Sequence, residues 1–113
     1  MKWNTIESIN DLNAITERSK TVPCLIFKHS TRCPVSSMAR YRLEDDWNFP
    51  EAELEPYFLD LIKHRDISGA IAQDFQVRHE SPQVLLIRNG ECTYDASHLD
   101  ITVDEIRECY ADV

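Results

Sequence analysis

Cys33, Pro34, Val35 and Ser36 bring together a cysteine, a proline and, three residues past the sulfur, a hydroxyl. Proline suits the first position of a helix, where its missing N–H costs nothing, so Cys33 is expected at a helix mouth. There a thiol meets unpaired backbone N–H groups and the positive end of the helix dipole, and both favour the thiolate. Lys28, His29 and Arg32 add a basic cluster just upstream. A stabilised thiolate both attacks disulfides and leaves from them, so the chemistry to expect is thiol–disulfide exchange. Ser36 stands where a dithiol enzyme would carry its second cysteine. Its hydroxyl can donate to the Cys33 sulfur but cannot close an intramolecular disulfide, so the centre reads as monothiol and needs another thiol to reset it. The plainer alternative for Cys33 is a passive residue at a helix entrance.

The other cysteines fit packing better. Cys24 falls in an apolar run and Cys109 on the apolar stripe of a helix, as small core residues do. Cys92 lies in a hairpin, where a resolving role stays open. No C-x-x-C pair and no histidine in zinc-finger register accompanies them, which argues against a structural metal site. His64, His79 and His98 are most simply surface or loop histidines.

The elements that must position Cys33 follow from hydrophobic spacing. A short apolar start at Trp3 to Ile6 precedes Ser8, a plausible N-cap with Asp11 three residues on, and Ile9, Leu12 and Ile15 mark a first helix over about 9–18. Val22 to Lys28 is nearly continuous in apolar character, as in a central strand buried on both faces. Past the polar turn His29 to Arg32, the residues Val35, Met38, Ala39, Leu43 and Trp47 place a second helix beginning at Pro34. The acidic stretch Glu44 to Glu55 reads as a helix end and loop. Tyr57 to Ile62 is a further strand, and Ile67, Ile71 and Phe75 define a helix from near Asp66. Val84 to Arg88, Asn89-Gly90 and Glu91 to Asp95 make a hairpin. Thr102 to Glu105 is a capping box for a last helix carrying Val103, Ile106, Cys109 and Tyr110.

The order βαβαβαββα predicts one α/β domain over residues 1–113, three layers (α/β/α) round a mixed sheet. Sites in such sheets lie beyond the carboxyl ends of the parallel strands, where Cys33 falls. At 113 residues with a net charge of −8, the chain needs no disulfide to fold, and its acidity argues against nucleic acid or an anionic membrane as partner. MKWNTIESIN lacks the pattern of a secretory signal and no apolar run could span a bilayer, so a cytoplasmic setting is expected.

Three motifs then carry a resemblance: Phe27-Lys28-His29-Ser30-Thr31-Arg32-Cys33-Pro34-Val35-Ser36, His79-Glu80-Ser81-Pro82-Gln83, and Ala96-Ser97-His98 with Ile101-Thr102. With the element order, they resemble the monothiol bacilliredoxins, the YtxJ-like bacillithiol-system proteins of the thioredoxin-like superfamily. The resemblance implies a reductant of protein mixed disulfides with bacillithiol or another low-molecular-weight thiol, working without metal, flavin or other cofactor. It makes Cys33 the attacking thiol and Ser36 the occupant of the absent resolving position. Pro82 would be the cis-proline, with Ser81 offering its backbone to the bound disulfide beside Pro34. His29, Arg32 and His98 match the family pattern, and contact with an anionic thiol's carboxylates is expected of them on charge and loop position. Glutathione or coenzyme A as the small thiol, or a peptide-binding module without turnover, are the alternatives.

Overall fold

β2 (Cys24–His29) is buried along its whole length, and the sheet is assembled round it. The computed structural model describes residues 1–111. β3 (Glu55–Asp60) runs parallel to β2 on one side and β4 (Gln83–Arg88) antiparallel on the other. β1 (Asn4–Thr5) pairs with β3 and β5 (Glu91–Ser97) with β4, giving the order β1-β3-β2-β4-β5.

Successive side chains of a strand point to opposite faces, and β2 uses both. Cys24 and Ile26 pack with Leu12 and Ile15 of α1 (Ile9–Arg18) and with Ile67 and Ile71 of α3 (Arg65–Asp74). Leu25 and Phe27 pack with Ala39 and Leu43 of α2 (Pro34–Asp46) and with Val103 and Ile106 of α4 (Val103–Ala111). Two apolar cores thus share one strand, in the expected α/β/α layering. Each fully buried side chain of this size is worth about 1.5–3 kcal/mol, so the strand that leads to Cys33 is also the best anchored.

Local chemistry sets the element ends. Ser8 Oγ accepts the Asp11 N–H at 3.1 Å and Asp11 Oδ2 accepts the Glu7 N–H at 2.8 Å, which fixes the start of α1. Asn89 and Gly90 both adopt positive φ, 51° and 77°, as a two-residue hairpin turn needs. The turn is docked on α1, where Ser19 Oγ accepts the Gly90 N–H.

Two expectations are corrected. β3 begins and ends two residues earlier than Tyr57 to Ile62, because Asp60 Oδ1 accepts the N–H groups of Ile62 and Lys63 and turns the chain out of the sheet. The buried face of α2 is Ser36, Ala39 and Leu43, whereas Met38 is exposed. The helix is rotated so that a hydroxyl, rather than the neighbouring Val35 side chain, lies fully buried against the sheet.

Candidate functional site

Lys28 pairs with Gln83 and Gln83 with Ser97 in the ladders, so the end of β2, the start of β4 and the end of β5 lie together. Three segments meet beyond that end: residues 30–33, residues 78–82 and the 3-10 turn His98–Asp100, which packs against α2. The sequence separates these segments by up to 70 residues, and the topology gathers them.

Cys33 is the N-cap residue of α2, with extended backbone and Pro34 following it. Its N–H donates to Ser30 O at 3.2 Å and its carbonyl accepts the Ser37 N–H at 3.1 Å, so the backbone is fixed on both sides. The side chain is half-buried and makes no capping hydrogen bond. The Ser81–Pro82 peptide bond is cis, and Pro82 O accepts the His98 N–H at 3.0 Å, tying this connection to the third segment. Ser81 Oγ is buried and unpartnered among the described residues. Arg32 is exposed.

The expected hydrogen bond from Ser36 to the Cys33 sulfur is not formed. Ser36 Oγ accepts the Ser30 N–H at 3.0 Å and lies 2.7 Å from His29 Nδ1, both inside the protein. Ser36 instead braces the turn that presents Cys33. The basic cluster also divides. His29 faces α2 and is buried, and loss of hydration, helped by the Arg40 charge, holds its pKa below the ordinary histidine value. It is therefore uncharged near neutral pH. Lys28 points to the opposite face, toward α3, where Nζ lies 3.0 Å from His79 Nδ1. Only Arg32 of the three presents charge at the surface near the helix mouth.

The remaining cysteines lie away from this end. Cys24 opens β2, and Cys92 pairs with Ile87, itself opposite Cys24, at the far end of the sheet. Five residues of strand separate that rung from His29, roughly 17 Å at the strand rise. A disulfide needs Cα atoms within about 7 Å, so neither can resolve a Cys33 adduct within the folded chain. Burial pushes the Cys24 thiol up to about 12 and the Cys92 thiol up to about 11, and each S–H donates to a backbone carbonyl. Cys109 packs against the α2/α4 core.

A family model for monothiol bacilliredoxin BrxC matches residues 4–106. The chain belongs to that family. Among solved structures, one described as a candidate oxidoreductase with a thioredoxin fold is 30% identical to this bacilliredoxin-family chain. The match covers 93% of this chain and 90% of that one, with a TM-score of 0.77. Thioredoxin from Malassezia sympodialis (14% identity, 98% and 90% covered, TM-score 0.77) shares the fold. So does thioredoxin from Trypanosoma brucei brucei (11% identity, 98% and 89% covered, TM-score 0.77). The domain is thioredoxin-like, and family membership makes it a thiol oxidoreductase.

Sequence reasoning missed two features of this bacilliredoxin site. The partnership of His29 with Ser36 had a signal, since a histidine closing a largely apolar central strand needs a buried partner. Lys28 had a stronger one: strand alternation through Ile26 turns it inward, so it could not share a surface with His29.

Proposed function

We propose that this protein removes a low-molecular-weight thiol, bacillithiol in the first instance, from protein mixed disulfides by attack of Cys33. The Cys33 thiolate attacks the small-thiol sulfur, the target's sulfur leaves as a thiolate and takes up a proton, and a Cys33–small-thiol disulfide remains. A second small thiol attacks that adduct, restoring the Cys33 thiolate and carrying away both small thiols as their disulfide. No metal or flavin enters these steps, and atoms and electrons balance with the second thiol as reductant.

The observation that carries this reading is a half-exposed thiol at a helix mouth with a fully buried hydroxyl, Ser36, one turn on. The extended backbone of Cys33 leads directly into α2, so the sulfur stands at the helix mouth. Pro34 shapes that start. Ser81 and Pro82 lie beyond the same end of the sheet and would lie along the substrate disulfide, with Arg32 as the exposed cation for its carboxylates. The reaction suits a reducing compartment such as the cytoplasm, where a single working thiol is kept free.

The test is turnover. Wild-type protein with excess free bacillithiol should release a bacillithiolated target as its free thiol faster than a glutathionylated one, and Cys33→Ser should release neither. Equal rates with both adducts would leave the exchange chemistry and overturn the bacillithiol preference. Undiminished release by Cys33→Ser would overturn the assignment of Cys33.

A further inference from the structure

Lys28 has no exposed surface, an unusual place for a lysine in a domain of this size. Across the β2–β4 ladder it stands directly opposite Gln83, itself buried, so the two side chains share the face that packs on α1 and α3. Both reach the same stretch of chain. Gln83 Nε2 donates to Arg78 O at 3.0 Å, and Lys28 Nζ lies 3.0 Å from His79 Nδ1, which Ser68 Oγ of α3 also approaches at 3.3 Å. Residues 78–79 are thus held from beneath by side chains of β2, β4 and α3. Two residues further on comes the cis Ser81–Pro82 bond.

We propose that Lys28 is a positioning residue for exchange at Cys33: together with Gln83 it holds residues 78–79 and so fixes the Ser81–Pro82 wall along which the substrate disulfide lies. The inference rests on the exchange reading given above. Burying an ammonium against one neutral acceptor is costly, and an apolar side chain of similar length would pack there more cheaply. Among the described residues, Lys28 meets His79 and the Glu80 charge from the connection, Gln83 across the ladder to β4 and Leu59 across that to β3, and Ser68 of α3 shares His79 with it; of these only His79 and Glu80 ionise. Loss of hydration brings Lys28 down to about 8, against an opposing pull from Glu80. The same loss, with the Lys28 charge, keeps His79 below its ordinary value and therefore a neutral acceptor. The tether is strongest with Lys28 protonated and weakens as alkali removes that proton.

Steady-state exchange on a bacillithiolated protein tests this with Lys28→Met, His79→Leu and His79→Gln. Lys28→Met and His79→Leu should raise KM about tenfold with kcat within about twofold, because the wall is displaced while the sulfur chemistry stays. His79→Gln keeps an acceptor for Lys28 and should restore the wild-type KM. Wild-type KM should rise as pH passes about 8, and this step should be absent in Lys28→Met. Alkylation of Cys33 by iodoacetamide, which does not use the wall, should be alike in all four proteins. His79 is exposed, so its variants keep the test decisive even where Lys28→Met fails to fold. Unchanged KM in His79→Leu, or a pH step that persists in folded Lys28→Met, would overturn the inference while leaving the exchange reading intact. An inactive wild type would overturn both.

Discussion

At the level of single residues, one sulfur carries the chemistry and its neighbours hold it in place. Cys24→Ala and Cys92→Ala should each keep exchange within about twofold of wild type, since their thiols, buried and half-buried, are poorly ionised and at the far end of the sheet. A rate assay beside a melting curve checks this and separates lost activity from lost fold. Ser36→Ala should cost about 2 kcal/mol in urea unfolding, because the Ser30 N–H and the His29 ring nitrogen lose a buried partner together. Cys33 was legible because proline and position alone place it at a helix mouth. The inward turn of Ser36 was not, since a serine beside Val35 carries no apolar signal. Only the partner waiting on β2 explains why the hydroxyl and not the valine is buried.

At the scale of elements, capping and periodicity made most of the fold readable in advance. Ile9–Arg18, the Asn89-Gly90 hairpin and the start at Pro34 all rest on contacts between near neighbours, which a sequence displays directly. Ser8→Ala should therefore lower stability by about 1 kcal/mol by freeing the Asp11 N–H, with a shift in urea midpoint and an unchanged slope. β3 was displaced by two residues because its end is set by the Asp60 carboxylate and its register by pairing with Cys24 to His29. The separation of Lys28 from His29 onto opposite faces belongs to the same lesson. Proximity in the chain groups both residues as charge, whereas strand alternation decides which surface each one meets.

At the scale of the whole molecule, the sheet serves two ends. Its hydrophobic faces stabilise the fold, and one end of it gathers residues 30–33, 78–82 and 98–100 at the helix mouth. Lys28 links the two uses, and its cost should be measurable. Its folded pKa of about 8 lies below the ordinary lysine value of 10.5, so the unfolded chain binds that proton more tightly. The cost is full below about 8 and is relieved as pH rises toward 10.5. Lys28→Met should then be more stable than wild type near neutral pH by up to about 3 kcal/mol, with the gain shrinking in alkali. Urea unfolding at several pH values checks the sign. A variant that is more stable yet binds substrate less well would separate positioning from packing.

The central claim is that Cys33 alone takes the small thiol from a modified protein. Its most direct measurement is to mix reduced protein with a bacillithiolated target in the absence of free thiol and to map the product by intact and peptide mass. One bacillithiol on the peptide containing Cys33 and a target returned to its free thiol are the expected products. An adduct on the peptides of Cys24, Cys92 or Cys109, or none on any, would contradict it.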